Sequence, residues 1–147
     1  MRRNNGFTLF ELIVVLVILA ALAALAAPSF SRTIVSARLR ASAAEVRATL
    51  ARARVLAVAG GRERFVVFDL EKGEYGLDND AVRSGFPEPI RLNGVRLAGE
   101  PKERGEARVR FYPDGTAEEA EVSVASGDGG TLRVTVEPLT GIAEAGI

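Results

Sequence analysis

The chain has 147 residues, enough for one small domain and an anchoring segment but not for two full domains. It contains no cysteine, histidine or tryptophan. A disulfide framework and thiolate chemistry are therefore excluded, and the commonest zinc ligand and general base is missing. The formal net charge is zero, but the signs are segregated. Arg32 to Arg64 carries a net +6 and Phe65 to Ile147 a net −7, so one part of the molecule attracts anions while the other repels them.

The chain opens MRRNNGFTLFELIVVLVILAALAALAAP. Arg2 and Arg3 precede the apolar stretch and place that end on the cytoplasmic side of a bacterial-type membrane. Phe7 to Ala27 spans 21 residues, about 31 Å as a helix, which matches the hydrocarbon thickness of a bilayer. A secretory signal peptide is the rival reading, with Ala24, Ala26 and Ala27 offering a small-residue cleavage site. It leaves Glu11 unexplained, because a carboxylate inside an apolar span is costly unless paired or functional.

Pro28 lacks a backbone donor, yet the helical pattern resumes at Ser29, so the proline predicts a bend near the membrane surface and not a stop. Val35, Leu39, Ala43, Val46, Leu50, Ala53 and Ala57 recur at three- and four-residue spacing and form one apolar stripe. Arg40, Arg47 and Arg54 recur every seven residues beside it. The breaker pair Gly60–Gly61 ends the helix. If continuous from Phe7 to Ala59, such a helix would be about 80 Å long.

Beyond Gly61 the period changes from helical to alternating. Phe65 to Phe68 predicts a strand, with Tyr75 and Leu77 returning across a turn at Lys72–Gly73. Gly85 to Pro89 predicts a loop. Ile90 to Leu92 and Val95 to Leu97 flank Asn93–Gly94, a hairpin signal. Glu100 to Glu106 predicts a mobile surface loop. Ala107, Val109 and Phe111 alternate with Arg108 and Arg110, as in a sheet with one wet face. A turn at Pro113-Asp114-Gly115 leads to Ala120, Val122 and Val124, and Gly127 to Gly130 turns into Leu132, Val134 and Val136. The expected fold is α+β: six or seven short antiparallel strands packed on the apolar stripe of a long N-terminal helix.

Gly6, Phe7 and Glu11 within GFTLFEL, the apolar helix and Pro28 together resemble the class III leader of type IV filament proteins. The remainder resembles the GspH/FimT-like branch of minor pilins and pseudopilins. That part of the resemblance rests on the short length, the basic helix half, the Phe111-Tyr112-Pro113-Asp114-Gly115 turn and the ending Pro138-Leu139-Thr140-Gly141. The resemblance implies a pilin-like fold with four parts: a leader at 1–6, a transmembrane and filament-core half of the helix at 7–28, an amphipathic half at 29–60 and an extracytoplasmic sheet domain at 61–147. It implies that a prepilin peptidase cuts between Gly6 and Phe7 and that the new Phe7 amine is N-methylated. These are substrate positions for another enzyme, and no catalytic residue is expected in this chain. Glu11 would then pair in lipid with the Phe7 amine of a neighbouring subunit and set axial register.

The implied partners are the prepilin peptidase, other pilins or pseudopilins, an inner-membrane assembly platform and the bacterial inner membrane. Two roles share this leader: a minor pseudopilin of a type II secretion system, acting in protein secretion, and a minor type IV pilin serving pilus assembly, motility or DNA uptake. Some FimT-like proteins bind DNA through basic C-terminal tails, but this tail has no arginine and carries Glu144, which repels phosphate. Arg40, Arg47 and Arg54 form a candidate weak electrostatic surface, with a solvated helix face as the plainer reading. Asp78, Asn79, Asp80 and Asp128 put oxygen ligands in loops without a full calcium-loop pattern. No metal and no cofactor is expected.

Overall fold

The computed structural model describes the backbone of residues 8–146 and the side chains of 8–22 and 33–146. Its contacts separate two compact units, Met1–Ile34 and Val35–Ile147. A single helix, α1 (Leu9–Gly60), contributes to both. The chain remains helical through Pro28, so the proline does not end α1.

Both ends of α1 have a local cause. At the start, the amide of Glu11 donates to Thr8 Oγ1 at 3.2 Å, and the amide of Leu12 donates to the Thr8 carbonyl at 3.1 Å. Thr8 is thus the N-cap, and its spacing of three residues to Glu11 places that glutamate where the acid of a capping box stands. At the far end, Gly61 takes φ +58°. The Arg62 amide then reaches the Ala57 carbonyl and the Gly61 amide reaches that of Val58. This is a Schellman closure, which only a residue tolerant of positive φ makes cheaply.

In the second unit, Leu39, Ala43, Val46, Leu50, Ala53 and Ala57 are all buried, and Val35 packs against them at the margin. The apolar stripe is the core face of the helix, as its spacing predicts. Each fully buried Leu or Val contributes roughly 1.5–3 kcal/mol relative to exposure.

Among the described residues nine antiparallel strands, against the six or seven expected, form two sheets. The first has the order β3-β2-β1-β6, with β1 Arg64–Asp69, β2 Glu74–Leu77, β3 Ser84–Gly85 and β6 Glu106–Phe111. The second has the order β5-β4-β7-β8-β9, with β4 Ile90–Leu97, β5 Glu100–Lys102, β7 Ala120–Ser126, β8 Thr131–Val136 and β9 Ala143–Gly146. Side chains from both sheets and α1 share one core, among them Phe68, Tyr75, Phe111, Val122 and Val134.

Two local expectations are corrected. Asn93–Gly94 is not a hairpin turn: β4 runs straight through it, and the register against β7 shifts between Leu92 and Gly94 as a bulge. One long strand laid along β7 forms more ladder than two three-residue arms could. The turn occurs instead at Ala98–Gly99, where φ is +48° and +84°, joining Leu97 to Glu100. The segment expected as a loop, Glu100 to Glu106, therefore holds β5 and the start of β6. The short strand β9 is also additional, since Ala, Glu and Gly are all poor strand formers.

Candidate functional site

Gly6 and Phe7 lie outside the described residues. The described chain begins at the Thr8 cap, which positions Glu11 in the first turn of α1 with its side chain exposed. A carboxylate here lies beside the positive end of the helix dipole. Every large apolar side chain from Leu9 to Leu22 is exposed, from Leu9 at 78% to Val14 at 40%. They point to all sides of the helix. A helix apolar all round needs lipid or other protein around it.

Among the described residues no helix is long and apolar enough to cross a membrane. The apolar run with described side chains ends at Leu22, short of the about 20 residues a span needs. The expected span continues over 23–28, whose side chains lie outside the described set, as does the Pro28 ring.

The three arginines at heptad spacing separate into two kinds. Arg40 and Arg47 are exposed. Arg54 is half-buried, and its Nε donates to the carbonyls of Thr140 at 2.7 Å and Gly115 at 3.1 Å. Arg54 is therefore a structural tie and not part of a free electrostatic surface. It joins the turn after β6 to the segment before β9. Gly141, at φ +62°, fits only because it has no Cβ; one there would strike the Gly115 carbonyl oxygen and the Arg54 side chain. Arg38 makes a similar tie, donating from Nη1 to the Glu88 carbonyl at 2.8 Å.

Several carboxylates of the sheet unit are paired or hydrogen-bonded. Asp78 pairs with Arg64 at 3.7 Å and Asp80 with Arg52 at 3.6 Å. Asp128 accepts from the Ser126 hydroxyl. Among the described residues no group of three or more acidic side chains is placed to hold a metal ion. Asp69 Oδ1 accepts from the amides of Lys72 at 3.0 Å and Glu71 at 3.1 Å in the β1–β2 turn. The Lys72 amide, ahead of the other contacts, holds the Asp69 carboxyl below its ordinary value. The Arg108 guanidinium does the same for Glu106, and the Thr116 hydroxyl for Asp114. Burial, reinforced by the negative charge of Glu45, pushes the Tyr75 phenol up to about 12.

Two features of the site were missed in the sequence although a signal was present for one. Thr8-Leu-Phe-Glu11 is a capping-box spacing directly before an apolar run. The tie made by Arg54 had no such signal, because its partners are backbone carbonyls 61 and 86 residues away.

The family described as the prokaryotic N-terminal methylation motif matches residues 1–27, a range that contains Gly6, Phe7 and Glu11. A comparison with curated protein sequences gives no significant match. Among solved structures, the fold is similar to that of the minor pseudopilin EpsH from the Type 2 Secretion System of Vibrio cholerae. The TM-score is 0.56 at 17% sequence identity, over 74% of this chain and 95% of that one. The helix packed on antiparallel sheets is thus a pseudopilin fold, and residues 1–27 carry a prokaryotic N-terminal methylation motif.

Proposed function

We propose that this chain, a type IV filament protein by its N-terminal motif and its fold, is a minor pseudopilin: a non-catalytic structural subunit of a type II secretion pseudopilus. The observation that carries this reading is the join between a methylation motif at 1–27 and a sheet unit with the fold of a minor pseudopilin. The apolar surface of α1 from Leu9 to Leu22 supports it physically. Such a surface is stable in lipid before assembly and against other apolar helices after it.

In this reading the leader 1–6 is removed by a prepilin peptidase and Phe7 becomes the methylated N-terminus. The apolar half of α1, through Pro28, anchors the subunit in the bacterial inner membrane, with the sheet unit on the extracytoplasmic side. Glu11 follows the new N-terminus of its own chain by four positions in sequence. It pairs with the Phe7 amine of a neighbouring subunit as the helix passes from lipid into the filament, where a buried carboxylate needs that cation. The Thr8 cap fixes the start of α1 and hence the axial position of Glu11.

The methylation motif is equally at home in a minor type IV pilin, which is the alternative. Deleting the gene in its host separates the two. Loss of protein secretion with intact pili, motility and DNA uptake supports the pseudopilin; the reverse pattern replaces it with the pilin.

A further inference from the structure

The groove between α1 and β9 is lined by arginines, alanines and apolar side chains, with no acidic residue. β9 is the edge of its sheet, paired with β8 through Val136↔Ala143 and Val134↔Ala145. The Glu137 amide bonds the Ile142 carbonyl at 2.9 Å, which sets the phase of the ladder. In an antiparallel pair the hydrogen-bonded positions alternate. The amides and carbonyls of Ala143 and Ala145 therefore face away from β8, on a side where no strand pairs with β9 among the described residues.

Between β9 and α1 lie two adjoining hollows of about 360 and 280 Å³ that share Arg47. One wall is the helix, where Ala44, Ala48 and Ala51 keep the space open. The other is the chain from Gly141 to Gly146. From Arg40 to Val55 the helix wall extends about 22 Å, the length of six or seven extended residues.

The charge of this groove is one-sided. Arg40 and Arg47 line it, and neither has a carboxylate partner among the described residues. No acidic residue lines either hollow; Glu144 belongs to the opposite face with Thr135 and Glu137. Arg62, Arg91 and Arg104 also lack a carboxylate partner among the described residues, but none of them lines these hollows. Arg52, Arg64, Arg83, Arg96, Arg108, Arg110 and Arg133 all pair with carboxylates.

We propose that the α1–β9 groove docks an extended acidic segment of a partner protein, added as a strand beside β9. Ala143 and Ala145 supply the main-chain bonds, which give affinity without side-chain specificity. Arg40 and Arg47 receive acidic side chains and so select the segment by charge. Val55 and Ile142, both exposed, receive an apolar residue at the Arg54 end. The proposal does not depend on which filament the chain enters.

The test uses the full chain in detergent micelles and fluorescein-labelled heptapeptides, read by fluorescence anisotropy. The probe is Val-Glu-Val-Glu-Val-Glu-Val. Its controls are the same peptide with lysine for glutamate, and with proline at the central position. The acidic peptide is expected to bind, more weakly at higher salt, and the controls at least tenfold more weakly. The pair Arg40→Gln and Arg47→Gln should weaken binding at least tenfold with an unchanged circular dichroism melt. Ala145→Pro removes an outward amide while leaving the β8 ladder intact, and should weaken binding similarly. Equal binding of the lysine or proline peptide, no binding of any peptide, or no effect of the arginine pair would overturn the proposal. So would tighter binding of a duplex DNA 12-mer that is lost in the arginine pair, which would make the groove a nucleic-acid site.

Discussion

The Nε of Arg54 donates to the carbonyl of Thr140 across 2.7 Å, between residues 86 positions apart in the chain. The same nitrogen reaches Gly115 at 3.1 Å. Two surface turns, at Tyr112 to Gly115 and Pro138 to Gly141, are thereby fastened to the helix by one side chain. Arg54→Ala should lower the stability of the sheet unit by about 1.5–3 kcal/mol, the range for hydrogen bonds from a charged donor. Urea unfolding of the Val35–Ile147 unit would read it. Arg47→Ala, which breaks no such bond, should stay within about 0.5 kcal/mol.

Gly141→Ala tests the same junction from the other side. The backbone there has φ +62°, and the new Cβ would meet the Gly115 carbonyl oxygen. Left-handed strain alone costs about 1–2 kcal/mol, and the clash adds to it. Gly129→Ala, with φ +92° but nothing within 4 Å of the new Cβ, should cost clearly less. Equal loss at both positions in the urea series would show that backbone strain, and not the contact with Gly115, decides the effect.

Glu11 and Thr8 should separate in their effects. With Glu11→Ala, leader removal is expected to persist while incorporation into sheared filaments fails. Thr8→Ala removes the cap, which stabilises a helix end by about 0.5–2 kcal/mol, and should reduce incorporation only partly. Thr8→Ser should restore it. Immunoblots of membrane and sheared fractions distinguish these outcomes, and wild-type incorporation of Glu11→Ala would remove its role in register.

The ionisable groups predict a plateau with two falling limbs. Asp69, Glu106 and Asp114 are depressed in the folded chain. Their stabilisation is present above the ordinary carboxylate range and is lost as pH falls through their lowered values, below about pH 4. Tyr75 is raised to about 12, so its contribution is complete below about pH 10 and declines as pH climbs toward the folded value. Urea midpoints measured from pH 3 to 11 should show both limbs. Asp69→Asn should flatten the acid limb, and Tyr75→Phe the alkaline one.

Reading order along the chain explains which parts were legible. The stripe from Val35 to Ala57 declared its buried face because a helix repeats every 3.6 residues and one face met the sheets. The β1–β2 turn was visible for the same local reason, since Lys72–Gly73 interrupts two alternating runs. Asn93–Gly94 misled because its composition suits a two-residue turn, whereas a bulge inside β4 satisfies the same residues once β7 lies alongside. β9 was invisible because four residues of low strand propensity become a strand only through pairing with β8.

By itself the sequence determined the local and periodic features: the apolar N-terminal segment, the Glu11 carboxylate within it, the core face of α1 and most strand positions. These depend on residues a few positions apart, so neighbouring side chains encode them. Only the tertiary structure decided the division into two sheets, the edge position of β9 and the fates of the three arginines. Arg54 became a tie between distant turns, while Arg40 and Arg47 came to flank an open strand edge. Those outcomes depend on backbone groups from remote parts of the chain meeting in space, and no periodicity in the sequence records such a meeting.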